Sequence, residues 1–235
     1  MFNTEHIIWI GLCAIFITVL TLISKKLNFS LKTAGYIMSA ICVISEVSKI
    51  MSNMKESSKG GSFLDPKALP LHLCSLLLFA VIYITFAKDG ETKNAIISFT
   101  AVAGILGSVC AILIPTNGTD FTTIPAYQCF VYHAGLFWFA LYLIISGKAR
   151  LGLKAYFKNM LMLLVLILAM LYANSILSKH NTNFMYLVRP PMEDLPILNL
   201  DSSWSVYFIR LLALGAGIVS LFHLPFIIYE RQKTK

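Results

Sequence analysis

The chain is 235 residues long, 57% hydrophobic and only 13% charged, with a mean hydropathy of +0.76. Soluble domains carry about 25% charged residues, so this composition excludes one and predicts an all-α, polytopic membrane protein built as a single domain. The net charge of +8 does not point to nucleic acid, because the excess lies in short loops between apolar runs, where orientation and anionic headgroups account for it.

A helix needs roughly 18 or more apolar residues to cross a hydrocarbon core about 30 Å thick. Seven stretches meet or approach that length and predict a seven-helix bundle with spans at 7–24, 32–51, 69–86, 94–114, 125–145, 157–177 and 204–228. The first is expected to be a retained helix rather than a signal peptide: Met1 to His6 holds no Lys or Arg, and no small-residue cleavage pattern follows. Loops on one side, from Lys25, Lys26 and Lys32 to Arg231, Lys233 and Lys235, hold twelve Lys and Arg. Those on the other side hold five: Lys55, Lys59, Lys67, Lys179 and Arg189. The positive-inside rule therefore predicts a cell-membrane protein with its N-terminus outside and its C-terminus in the cytoplasm.

Between the spans, Ser52 to Ala68 is rich in Ser, Gly and Lys and predicts a mobile surface loop. Ser178 to Ser203 differs, because Phe184-Met185-Tyr186-Leu187-Val188 and Pro196-Ile197-Leu198 are apolar and Arg189-Pro190-Pro191 is stiff. It predicts a lid or lipid-facing flap at the headgroup level. Asn117-Gly118-Thr119 reads as a turn in preference to a glycosylation site. The five cysteines, at 13, 42, 74, 110 and 129, lie within the spans without metal-ligand spacing, so neither a disulfide framework nor a metal site is predicted. Gly104-x-x-Gly107 and Gly215-x-Gly217 permit close helix approach and leave the oligomeric state open.

Ionisable groups inside a span cost on the order of 3 kcal/mol each, so each suggests a function or a named partner. Glu46 and Lys49 are three apart on one face of the second span and can neutralise each other. With a rise of about 1.5 Å per residue, Glu46 lies roughly 8 Å from its outer end, Cys74 roughly 6 Å past Pro70, His133 roughly 12 Å past Pro125 and Arg210 roughly 9 Å past Trp204. All four fall in the outer half of the membrane. His223, near the cytoplasmic end, reads as interfacial or structural.

In Leu69-Pro70-Leu71-His72-Leu73-Cys74-Ser75, Pro70 suits the first turn of a helix. The free NH groups of that turn and the helix dipole would favour a Cys74 thiolate and supply donors for an oxyanion. His72 sits about 200° around the helix from Cys74, which leaves it as a capping, headgroup or supporting residue. His133, from another helix, is the better base, with an interhelical hydrogen bond as its structural alternative. Glu46, Gln128 and Asn174 are each placed to orient the imidazole, and the spacing does not choose among them. Cys110 and Cys129 read as small buried packing residues.

The Cys74 motif, the Ile114-Pro115 span end, a single His133 fifty-nine residues after Cys74, and Asn183-Phe184-Met185-Tyr186-Leu187 with Pro190 and Trp204 resemble the YwaF-like bacterial membrane proteins. These are similar to the eukaryotic transmembrane-protein-164 acyltransferases. The resemblance runs from about the third span to the seventh, and the cysteine motif is its most specific part. It implies a seven-helix enzyme that moves a fatty acyl chain between phospholipids and lysophospholipids without a cofactor, with Cys74 as the nucleophile and His133 as the base. Arg189 and Arg210 suit a lipid phosphate, since a guanidinium can bind it in bidentate fashion, and Asn183 is a further headgroup candidate. Two other functions fit the same residues. A small-molecule binder or transporter would use Glu46, Lys49 and Arg210 as a polar pocket, and a lipid hydrolase would use water as the acceptor.

Overall fold

A computed structural model describes residues 2–56, 61–192, 195, 197–201 and 203–233. Lys59, Pro196 and Lys235, used in the loop arguments above, lie outside the described residues. The described residues hold seven α-helices: α1 (Thr4–Lys26), α2 (Leu31–Ser52), α3 (Leu73–Phe86), α4 (Glu91–Leu113), α5 (Ile124–Ile145), α6 (Leu153–Ile176) and α7 (Trp204–Lys233). All except α3 are long and apolar enough to cross a membrane. Local chemistry sets their ends: the Asn3 side chain accepts from the His6 amide at the start of α1, and Ser30 accepts from the Thr33 amide at the start of α2. Lys25 and Lys26 close α1, where cations suit the helix dipole.

The chain divides into two compact units, Met1–Ala149 and Arg150–Lys235. In the first, α5 packs against α1, α2 and α4, and α3 lies against α2 and α4. Buried residues surround α5, among them Phe130, Ala134, Leu136, Trp138, Phe139 and Leu143. A helix that is apolar all round is a core element. By contrast α1 leaves Ile7, Ile15 and Leu22 exposed, as a lipid-facing surface requires.

Hydrogen bonds tie together opposite ends of this unit. At one end His6 Nε2 donates to the Ile112 carbonyl at 2.8 Å, and Trp9 Nε1 donates to the Thr119 carbonyl at 3.0 Å. At the other, Tyr142 donates to the Phe29 carbonyl and Lys93 to the Ala87 carbonyl, both at 2.9 Å. Consecutive helices therefore run in alternate directions. Close approach is where glycine is needed: a Cβ at Gly104 would lie 2.9 Å from the Ala140 Cβ, and one at Gly107 would lie 3.3 Å from Cys74 Sγ. These two glycines thus serve packing within the chain. Gly215 and Gly217 have nothing within 4 Å of an added Cβ.

Two expectations for this unit are corrected. The third helix begins at Leu73, not Pro70, because Leu69 and His72 are extended, with ψ of 145° and 150°. A residue before proline is pushed out of the helical region, so Leu69 turns away and the helix starts later. At 14 residues it is about 21 Å long, short of the hydrocarbon thickness. The Ser52–Ala68 segment is no featureless loop, since Met54–Glu56 pairs antiparallel with Ser62–Leu64 and a 3-10 turn follows at Pro66–Ala68. Asp65 accounts for this locally, accepting from Lys55 Nζ at 2.5 Å and from the Lys67 amide at 3.0 Å.

In the second unit α6 and α7 pack together. His223 is fully buried, donates through Nδ1 to the Leu151 carbonyl at 2.8 Å and accepts at Nε2 from Asn159 at 3.1 Å. It is a structural histidine. The 178–203 segment holds two 3-10 turns, Ser178–His180 and Phe184–Tyr186, and turns Phe184 and Leu187 into the unit's interior. Trp204 Nε1 donates to the Leu187 carbonyl at 3.1 Å, and the Tyr207 hydroxyl donates to the Tyr186 carbonyl. The apolar run expected to form a lid or lipid-facing flap is folded against its own helices around residue 184, while Val188, Ile197 and Leu200 stay exposed.

Candidate functional site

The first turn of α3 lies at the end of the first unit that also holds the start of α1. His72 is its N-cap and makes no side-chain capping bond, and the first helical hydrogen bond runs from the Leu76 amide to the His72 carbonyl at 2.9 Å. The amides of Leu73, Cys74 and Ser75 consequently have no carbonyl partner within the helix. Cys74 is half-buried, its sulfur packed against Gly107 of α4. The Cys74 carbonyl accepts a hydrogen bond from the Tyr132 hydroxyl of α5 at 2.5 Å.

His133 follows Tyr132 on α5 and is 9% exposed. Its Nδ1 lies 2.7 Å from the Cys129 carbonyl and 3.7 Å from Cys129 Sγ. A carbonyl only accepts, so Nδ1 carries the proton and the lone pair of the neutral ring is on Nε2. The group that orients the imidazole is therefore a main-chain carbonyl one turn earlier on the same helix. Among the described residues no hydrogen bond joins Cys74 Sγ to His133.

The three orienting candidates are engaged elsewhere. Glu46 pairs with Lys49 at 2.7 Å, although its Oε1 accepts no hydrogen bond of good geometry, so the contact is electrostatic and not directional. Lys49 also donates to Ser75 Oγ at 3.1 Å, which carries the pair to the first turn of α3, next to Cys74. His72 lies within electrostatic range of Lys49. Gln128 donates to Ser45 at 2.7 Å and accepts from Asn117 at 3.5 Å. Asn174 belongs to the second unit, where its amide brackets the buried Phe184 backbone, donating to the carbonyl at 3.1 Å and accepting from the NH at 2.8 Å.

The predicted headgroup residues also lie in the second unit. Asn183 accepts from the Val188 and Arg189 amides, both at 3.1 Å, and donates to the Arg189 carbonyl at 2.8 Å. Arg189 Nη2 donates to the Asn181 carbonyl at 2.9 Å, and Arg210 Nη1 donates to Asn199 Oδ1 at 3.1 Å. The first unit thus gathers Glu46, Lys49, His72, Cys74, Gln128 and His133 at one end. Of the four second-unit residues, Asn183 and Arg189 share one local network, while Asn174 bonds to the Phe184 backbone and Arg210 to Asn199.

Sequence reasoning missed Tyr132 and the Cys129 carbonyl. A tyrosine in an aromatic-rich span carries no distinguishing signal, and a main-chain acceptor carries none at all. It also misjudged Cys110, which is exposed, whereas Cys129 is buried as expected. All five cysteines are free thiols.

No curated protein and no solved structure matches the chain. A family match runs over residues 1–223, from α1 into the later turns of α7. Together with six helices long and apolar enough to cross a membrane, this places the chain in the TMEM164 family of multi-pass membrane proteins.

Proposed function

We propose that this protein is a membrane-embedded lipid acyltransferase in which Cys74 carries the acyl group and His133 is the base. The observation that supports this most is the His133 tautomer: its Nδ1 proton is held by the Cys129 carbonyl, leaving Nε2 basic, in the same helix cluster that holds a thiol on a first turn with free amides. A base oriented by a third group beside a nucleophile and oxyanion donors is the general arrangement for covalent acyl transfer.

In the first half-reaction His133 Nε2 takes the Cys74 proton and the thiolate attacks the carbonyl carbon of a phospholipid ester. The tetrahedral oxyanion is held by the free amides at the start of α3. Its C–O bond breaks, the lysophospholipid leaves with the proton from His133, and a thioester remains on Cys74. In the second half-reaction His133 deprotonates the hydroxyl of an acceptor lysolipid, which attacks the thioester, and the Cys74 thiol is regenerated with that proton. No step needs a cofactor. The side chains of Cys74 and His133 close up when substrate enters, as catalytic hydrogen bonds often do.

In this proposal the N-terminus is outside with the C-terminus cytoplasmic. The Lys and Arg asymmetry of the loops supports that orientation. The reacting pair then works in the outer half of the cell membrane.

The test uses purified protein in liposomes containing phosphatidylcholine with a labelled acyl chain and lysophosphatidylethanolamine as the acceptor. The expected product is labelled diacyl phosphatidylethanolamine, with an acylated Cys74 peptide recovered by mass spectrometry. Cys74→Ala and His133→Ala each lower transfer by about 100-fold or more while keeping helix content. Full transfer by both variants refutes the mechanism, and free fatty acid as the sole labelled product assigns hydrolysis instead.

A further inference from the structure

The two proposed reacting side chains stand on helices α3 and α5, and α3 packs chiefly against α2 and α4. A hydrogen bond from the Tyr132 hydroxyl to the Cys74 main-chain carbonyl ties them directly. Tyr132 is 5% exposed and immediately precedes His133, so one hydroxyl links the backbone bearing the thiol to the backbone bearing the imidazole. We propose that Tyr132 is a positioning residue that holds Cys74 in register with His133; this rests on the acyl-transfer function proposed above.

The start of α3 needs such a tie. Its N-cap makes no side-chain capping bond, and the helix is entered from extended residues. Helix ends without caps fray, and a frayed first turn would move both the thiol and the amides offered to the oxyanion. The tie acts on the carbonyl of residue 74, so it fastens the turn without drawing on an amide that the reaction needs. The hydroxyl has one proton, and the carbonyl can only accept it. The rings of Tyr132 and His133 meet edge to face with centroids 5.2 Å apart, so a shift of one is felt by the other.

The test compares wild type, Tyr132→Phe and Cys74→Ala in the liposome transfer assay, with hydrogen exchange read on the same samples. Tyr132→Phe removes one oxygen. It is expected to lower kcat by about 10-fold or more with KM within about twofold, because misplacement of reacting groups acts on the transition state and not on lipid binding. Exchange of the Leu76 and Leu77 amides is expected to rise by about 10-fold, the worth of one buried hydrogen bond, while exchange in α4 is unchanged. A kcat equal to wild type in Tyr132→Phe, with Cys74→Ala inactive, overturns the positioning role and leaves the acyl-transfer mechanism standing. Full activity of Cys74→Ala overturns the mechanism itself and the positioning role with it. A measurement on wild type alone also decides: if Leu76 and Leu77 exchange as fast as an uncapped peptide helix end, no tie is holding the turn.

Discussion

Replacing Gly107 by alanine tests the packing at the thiol. The new Cβ would lie 3.3 Å from Cys74 Sγ, whereas nonbonded heavy atoms sit best at about 3.5–4.0 Å, so the sulfur must retreat by a few tenths of an ångström. Overpacking costs about 1–3 kcal/mol, and a glycine-to-alanine change inside a helix returns about 0.5–1 kcal/mol. The net loss of stability is then between about 0 and 2.5 kcal/mol. Misplacing a reacting group by 1 Å costs about 100-fold, so a shift of a few tenths predicts transfer slowed by about 3–10-fold. Two glycines serve as controls. At Gly104 the obstacle is the Ala140 Cβ at 2.9 Å, which no rotation can move aside, so Gly104→Ala forces α4 and α5 apart at a cost of about 1–3 kcal/mol. At Gly217 an added Cβ meets nothing within 4 Å, and alanine is neutral or stabilising. The measurements are the thermal midpoint, the initial transfer rate, and the alkylation rate of the Cys74 peptide followed by mass spectrometry among the five thiols. Gly107→Ala with wild-type transfer and wild-type Cys74 alkylation refutes the contact and the reasoning built on it.

Two further outcomes are expected. Asn174→Ala removes the side-chain hydrogen bonds to the NH and carbonyl of the fully buried Phe184 and destabilises the second unit by about 1–3 kcal/mol, read as a lowered unfolding midpoint and new protease cleavage within 178–203. In the Met54–Leu64 hairpin, the hydrogen bond from Lys55, with help from the Lys67 amide, holds the Asp65 carboxyl below its ordinary range. A carboxyl lowered in the folded state adds stability that is full above the unfolded range and is lost as pH falls through the folded value. Amide protection factors in the hairpin, corrected for the intrinsic exchange rate, therefore fall on acidification below about pH 4, and Lys55→Ala lowers protection at neutral pH and removes most of that pH dependence.

Much of the helix content was legible in the sequence because membrane crossing is a local, one-dimensional constraint: length and apolarity suffice. The six long helices lie within a few residues of the predicted spans. The third did not follow, because Leu69 to His72 are as apolar as the helix after them, and only the backbone shows that Pro70 holds its approach extended. The Ser52–Ala68 hairpin was hidden for the opposite reason, since Ser, Gly and Lys suggest a loop until Lys55 and Asp65 are seen to close it. At the site, the residues that stood out were those costly to bury. Glu46 and Lys49 do pair across one helical turn, as their spacing required.

By itself the sequence determined that this chain enters a membrane as helices, and it predicted that a thiol, an imidazole and an ion pair lie at similar depth. Apolar runs and the cost of buried polar groups are written residue by residue. Tertiary structure decided what each polar group touches. It tied the imidazole to the Cys129 carbonyl and the Cys74 carbonyl to Tyr132, sent Gln128 to Ser45, and placed Asn174 in a separate unit on the Phe184 backbone. Hydrogen bonds to main-chain carbonyls are set by where helices cross, and such acceptors are the same at every residue, so no pattern of side chains announces them.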